Sequence, residues 1–288
     1  MRILILGGDG MLGHQLLRHL AQKHDARVTL RQPLGAYAGL PMFQPGNSYP
    51  EIDVRARKPL LEALENFRPE AIINAIGIIK QQPISADNIA NIEINALLPH
   101  RLALLCKDVG AKLVHFSTDC VFSGKTGNYK ETDPSDPEDL YGKSKFLGEV
   151  SERHCITLRT SIIGRELFRK KSLLEWFLAQ RGTVHGYRQV IYSGFTTHEI
   201  GRIVEKILPE RPPASGVYHV SSAPISKYEL LCLIKKRLRL AVEVIPDDET
   251  RCNRSLDSTR FRREFNYIPP TWDAMVDELA KDIDGAAK

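Results

Sequence analysis

No apolar stretch in this 288-residue sequence approaches the roughly 18 residues a membrane helix needs. The opening MRILILGG is too short in its apolar run for a secretory leader and ends in glycines. No membrane partner is expected, and the cytoplasm is the default location. The five cysteines (Cys106, Cys120, Cys155, Cys232 and Cys252) are odd in number and scattered, with no CxxC pair and no Cys/His cluster. That pattern excludes a disulfide framework and a zinc site. None of the nine histidines stands in a metal-ligand spacing, so no metal is expected. Charge of one sign is not concentrated either. The net charge is only +5, and no basic stripe is interleaved with aromatics, which argues against a nucleic-acid partner. A modest positive excess is compatible with phosphorylated ligands.

What is present is a balanced globular composition, 42% apolar and 26% charged. Residues 3–6 form a short apolar run of the parallel-strand kind, followed by glycines and by Leu12, Leu16, Leu17 and Leu20 at helical spacing. Residues 26–32 read as a second strand, and a helix-then-strand unit ends in INAIG (73–77). A helix over 94–108, with Gly110 near its end, leads to the strand KLVHFST (112–118). This alternation implies an α/β fold, a doubly wound parallel sheet of the Rossmann type. Past residue 160 the pattern loosens. Strands are expected at 158–164 and 216–222, and helices at 171–180 and 226–240, the last one basic with Leu230, Ile234 and Leu238 inward. The expected organisation is a dinucleotide-binding body over 1–158. A smaller substrate lobe follows over 159–288, with some segments returning to the body.

The first glycine turn, GGDGMLG, spaces Gly7, Gly10 and Gly13 so that the chain turns tightly and can approach a pyrophosphate at a helix N-terminus. On its own such a triplet is often a plain strand–helix turn; its position after the first strand favours the dinucleotide reading. An acid at the end of the second strand would favour NAD, but VTLRQ carries Arg31 instead. Arginine can pair with a 2′-phosphate, which favours NADPH while leaving NADH open, or it can be a solvated strand-end residue. Asp53 precedes a helix, and spacing alone makes it an N-cap. In DLYGKSKFLGE, Tyr141 and Lys145 stand at i and i+4 with Ser144 between them, sharing a helix face. Most such pairs are ordinary. Here the preceding strand delivers Ser117 and Thr118 to its C-terminal end, where open α/β sheets bind ligands. In that setting a nearby ammonium is expected to lower the phenol's pKa toward a useful range.

These segments together resemble the extended short-chain dehydrogenase/reductases, and more closely the dTDP-4-dehydrorhamnose reductase family. The resemblance rests on GGDGMLG, INAIG, STDCVFSGKTGNYKETD, YGKSKFLGE, LRTSIIG, GVYHVSS and NRSLDSTRF. It implies reduction of a 4-keto-6-deoxy sugar on a nucleoside diphosphate, in the making of cell-surface polysaccharide precursors. Tyr141 would give the proton, Lys145 would tune Tyr141 and bond the nicotinamide ribose, and Thr118 would hold the carbonyl. By matched positions, Gly7, Gly10, Met11, Leu12 and Gly13 would line the pyrophosphate, and Asp53 and Val54 would contact adenine. Asn74, Ala75 and Ile76 would lie beside the cofactor, while Asn95 and Asp119 would fall near the substrate. Arg165, in the basic cluster RELFRKK, is a weaker candidate for the substrate diphosphate; such clusters are often only solvated faces.

The sequence also departs from the family. Cys120 replaces the tyrosine of STDYVF, INAIGIIKQQPIS lacks the usual polar residues, and GFTT replaces a glycine-x-proline-threonine turn. Cys120 reads as a small buried residue without a redox role. All three departures fall on the expected substrate side, leaving the nucleotide base and the sugar open. Two other readings stand beside the reductase: an epimerase or dehydratase with tightly held NAD, and a cofactor-binding regulatory subunit. Homo-oligomerisation is left open.

Overall fold

The apolar runs of the first half become strands buried on both faces, which is why they show no polar alternation. The computed structural model describes residues 1–80, 83–210 and 214–286. Its first half runs β1 (Arg2–Leu6), α1 (Gly13–Leu20), β2 (Asp25–Thr29), β3 (Ser48–Tyr49), α2 (Arg57–Phe67) and β4 (Ala71–Asn74). It continues with α3 (Asn88–Asn91), α4 (Leu98–Val109), β5 (Lys112–Ser117), α5 (Leu140–Leu147) and β6 (Cys155–Arg159). A π-helical stretch, Ile92–Leu97, joins α3 to α4. The second half begins with β7 (Ile162–Ile163), α6 (Leu173–Leu178), β8 (Gly182–Tyr187), β9 (Val190–Tyr192), β10 (Phe195–Thr196) and α7 (Thr197–Ile207). It ends with β11 (Gly216–His219), β12 (Ile225–Ser226), α8 (Lys227–Leu238), β13 (Val242–Asp247), β14 (Cys252–Asn253), α9 (Thr259–Glu264) and α10 (Trp272–Ala286).

Seven strands make one parallel sheet in the order β11-β6-β5-β4-β1-β2-β3. Leu4, Leu6, Ile72 and Leu113 pack on one face against Leu60 and Leu64 of α2 and Leu102 of α4. Ile3, Ile5, Ile73 and Val114 pack on the other against Leu16 of α1 and Ile203 of α7. Burying each such side chain contributes about 1.5–3 kcal/mol. The sheet is therefore a rigid platform, doubly wound as the alternation of elements implies. The strand β11 lies late in the chain yet pairs beside β6, with Gly216 opposite Ile156. The other late strands are short and pair among themselves, as β12-β9-β14, β13-β8 and β10-β7.

Three boundaries differ from the sequence reading. The expected strand at 158–164 is two pieces, β6 and β7, because the Ser161 carbonyl is taken by the Phe195 N–H and the chain leaves the large sheet there. The second strand stops at Thr29, before Arg31. The helix expected from residue 94 starts at Asn88, where the Asp87 carboxylate caps it by accepting from the Ala90 N–H. Its π stretch breaks the 3.6-residue period, so a regular pattern could not find its start. Among the described residues no helix is long and apolar enough to cross a membrane.

Candidate active site

The site is built at the C-terminal ends of β1, β4 and β5. After β1 the chain turns at Gly7 with φ of +82°. A methyl group at Gly13 would stand 2.0 Å from the Gly7 carbonyl oxygen, so α1 begins pressed onto the turn. The result is a cradle at a helix N-terminus that any side chain would fill, the form suited to a pyrophosphate. Leu12 and Gly13 are buried, and Met11 and Gly10 are half-buried at its mouth. The end of β4 passes close by: a methyl at Gly7 would stand 2.8 Å from Cγ1 of Ile76. Asn74 is buried, accepting from the Ile76 N–H and donating to Nδ1 of His115 at 3.1 Å, with Ala75 half-buried after it. The turn is also braced from outside, where the Tyr37 hydroxyl donates to Asp9 at 2.9 Å and accepts from the Gln32 N–H.

Thr118 directly follows β5, and its Oγ1 caps the turn at Asp119–Val121 by accepting from the Cys120 N–H at 3.1 Å. The same hydroxyl donates to the Asp119 carboxylate at 3.2 Å. Asp139 starts α5, accepting from the Gly142 N–H at 2.8 Å. Within that helix Tyr141 is half-buried and Lys145 is buried one turn on. Lys145 Nζ donates to the Phe116 carbonyl at 2.5 Å, and a methyl at Gly77 would lie 4.0 Å from it. Burial lowers the Lys145 pKa to about 8, with Glu149 acting in the opposite direction.

The expectation that Lys145 sets the ionisation of Tyr141 is corrected by this geometry. Burial first, then Cys120 and the carboxylates of Asp119 and Asp139, push the phenol above its ordinary range; hydrogen bonding to Thr118 opposes them. The Lys145 ammonium is directed to a backbone carbonyl instead. Cys120 is half-buried rather than fully buried, and its thiol is raised to about 11 by burial and by Asp119, so it is protonated at neutral pH.

Two substrate candidates prove to be internal braces. Asn95 is wholly buried in the π stretch, accepting from the Ile78 N–H and donating to the Ile78 carbonyl, Asn91 and Ser144 Oγ. Its amide is fully used, so it ties the loop after β4 to α5 rather than facing a ligand. Gly148 completes this joint, since a methyl there would stand 1.9 Å from the Asn95 carbonyl. Arg165 is ion-paired with buried Glu175 at 2.7 Å and shapes its own loop. Asp53 does not cap α2, whose N-cap is Ala56 without a side-chain bond. Its carboxylate is instead gripped by Arg55 and held at about 2 by that pairing, with exposed Arg31 adding to the effect. Arg31, Asp53 and half-buried Val54 thus neighbour one another beyond β2.

Sequence reasoning passed over several neighbours. His115, a histidine among the apolar residues in the middle of β5, was the readable signal; it is fully buried and held neutral by burial and by Lys145. Because Asn74 donates to its Nδ1, the proton is assigned to Nε2. Arg254 arrives from the second half, its guanidinium donating to the carbonyls of Phe122 and Ser123 and facing Cys120 and Asp119. Lys80 comes from the loop after β4 and pairs with Asp139. Gln81 and Gln82, in the departing stretch after INAIG, lie outside the described residues.

The sequence matches the family profile of the RmlD substrate binding domain over residues 1–284. It is 27% identical over 254 residues to the spore coat polysaccharide biosynthesis protein SpsK of Bacillus subtilis, covering 85% of this chain and 82% of that protein. It is 28% identical over 298 residues to dTDP-4-dehydrorhamnose reductase of Aggregatibacter actinomycetemcomitans, covering 94% and 95%. The fold superposes with a TM-score of 0.76 on dTDP-4-dehydrorhamnose reductase of Bacillus anthracis in complex with NADP, at 22% identity, covering 98% of this chain and 99% of that one.

Proposed function

Since the chain belongs to the RmlD substrate binding domain family, within the extended short-chain dehydrogenase/reductases, we infer that it reduces a nucleoside-diphosphate-linked 4-keto-6-deoxy sugar with NADPH. It is an NAD(P)-dependent oxidoreductase acting on a nucleotide sugar. The observation that carries the finer reading is the hydrogen bonding between the Thr118 hydroxyl and the Tyr141 phenol, with buried Lys145 one helical turn on and its Nζ close to Gly77 after β4. A dinucleotide fits the turn formed by Gly7, Gly10, Met11, Leu12 and Gly13, whose cradle admits no side chain at residue 13. Asn74, Ala75 and Ile76 would form the floor beneath it, and Asp53 and Val54 would meet the adenine. Arg31, exposed and unlike the acid of NAD sites, would pair with the 2′-phosphate.

When bound, NADPH supplies the hydride for the sugar C4. Tyr141 then delivers its proton to the C4 oxygen. A phenol held above its ordinary range is protonated at neutral pH, the form a reduction requires. Thr118 orients the carbonyl by turning its weak 3.2 Å hydrogen bond away from Asp119. Lys145, buried in the same wall, keeps positive charge near the phenolate left behind and would bond the nicotinamide ribose.

The test is to follow the absorbance of reduced nicotinamide with NADPH and NADH against dTDP- and UDP-linked 4-keto-6-deoxy sugars. Oxidation with one of them supports the reading and identifies the base. Tight NADPH binding without oxidation of any of them removes the reductase reading. Arg31→Ala should weaken NADPH about 10-fold or more while sparing NADH, the scale of one charge-assisted phosphate contact; equal losses count against the 2′-phosphate role.

A further inference from the structure

One contact above Tyr141 has no part in that scheme. Lys80 Nζ stands 5.7 Å from the centroid of the Tyr141 ring, over its face. It is also ion-paired with Asp139, the residue that caps the helix carrying Tyr141. We propose that Lys80 is a positioning residue for Tyr141, an electrostatic clamp that holds its cation over the ring and counters the Asp139 carboxylate beside the phenol.

The charges facing Tyr141 define what Lys80 would counter. From the turn after β5 come the Asp119 carboxylate and the Cys120 thiol, and from the N-cap of its own helix Asp139. Across the turn stands Arg254 of the second half, which faces Cys120, Asp119 and Asp139. Half-buried Tyr192, whose buried hydroxyl has no hydrogen-bond partner among the described residues, also faces Asp119. Both carboxylates oppose the negative charge Tyr141 acquires as its proton leaves. Lys145 and Arg254 are each directed to backbone carbonyls. Lys80 is bonded to the carboxylate nearest the ring in sequence and simultaneously covers the ring face. Its side chain is 36% exposed and that of Asp139 45%, so the pair contributes little to holding the fold. Its position over the ring is that of a cation–π contact.

This inference rests on Tyr141 being the proton donor. A tether and an electrostatic clamp differ in sign. A tether makes Lys80→Met and Asp139→Asn alike, because each breaks the same bridge. The clamp gives opposite results. Lys80→Met should lower kcat about 3- to 5-fold, the scale of an exposed cation–π contact, with KM for the sugar little changed. Asp139→Asn, which keeps a good N-cap residue, should raise kcat. Combining the two should return kcat toward that of the unaltered protein, and Lys80→Arg should retain most of it. Equal losses in the two single variants, or no change in Lys80→Met, overturn the proposal. A readout free of turnover separates this from failure of the reductase reading. In protein labelled with 13Cζ-tyrosine, the Tyr141 resonance, assigned by its loss in Tyr141→Phe, should shift in opposite directions in Lys80→Met and Asp139→Asn. A resonance that stays in place, or that shifts the same way in both, overturns the proposal whether or not a substrate has been found.

Discussion

Two ion pairs flank helix α5, one at each end, and they are built on opposite principles. Beyond its C-terminal end, Glu149 receives Arg159 in a two-pronged contact at 2.8 and 2.7 Å, with side chains only 6% and 7% exposed. Ser117 adds a hydrogen bond to Glu149 at 2.7 Å, and Arg159 reaches on to His219 at 3.2 Å. At the N-terminal end, Lys80 and Asp139 meet beside the Tyr141 ring with much of both side chains in water. The buried pair joins β5, α5, β6 and β11 into one body. The exposed pair anchors one loop and can rearrange. One helix thus carries a fixed end that holds Lys145 and an adaptable end that presents Tyr141, and the difference in burial assigns the roles.

The largest effect should come at the adaptable end. Tyr141→Phe is expected to lower kcat roughly 10³- to 10⁴-fold, the upper range for removal of a general acid. NADPH titration should be nearly unchanged, because the phenol lies outside the glycine cradle; near-normal turnover would contradict the assignment. At the fixed end, Glu149→Gln should destabilise the fold by about 3–5 kcal/mol, since it strands a buried guanidinium. Denaturant unfolding measures this, and a loss under about 1 kcal/mol would erase the contrast.

The fixed end should also show in the acid range. Burial, then Arg159, lower His219 from its ordinary 6.5 to about 4. Between those values the unfolded chain binds the extra proton, so stability falls as pH drops from about 6.5 to about 4. The span of about 2.5 units corresponds to roughly 3 kcal/mol. His219→Gln should flatten that part of the stability profile, and an unchanged slope would place the acid sensitivity elsewhere. The smallest effect belongs to Lys80→Met, which should cost less than about 1 kcal/mol in unfolding, although it changes kcat. A larger loss would make the exposed pair a second structural anchor.

The helix legible as DLYGKSKFLGE shows how far reading alone extended. Tyr141 and Lys145 were visible because a four-residue spacing is local geometry. Their electrostatics were not, since the Tyr141 pKa depends on burial and on Cys120 and Asp119, which only packing gathers there, as well as on nearby Asp139. Asn95 was legible as a position and misread as a role: its hydrogen bonds to Ile78 and Ser144 span 17 and 49 residues. Asp53 likewise looked like a cap until Arg55 was seen to hold it.

The order of strands and helices, the glycine turn and the hydroxyl at the end of β5 follow from local rules of period, turn conformation and chain direction, which a sequence expresses directly. The joining of residues 252–257 to the loop at 122–129 was decided by the tertiary structure alone. There the Tyr129 N–H donates to the Ser255 carbonyl, Asp257 N–H to the Tyr129 carbonyl and Arg254 to the Phe122 carbonyl. Those contacts depend on burial and on partners more than a hundred residues away. No spacing along the chain encodes which charges share a low-dielectric pocket, and that sharing sets the chemistry of Tyr141.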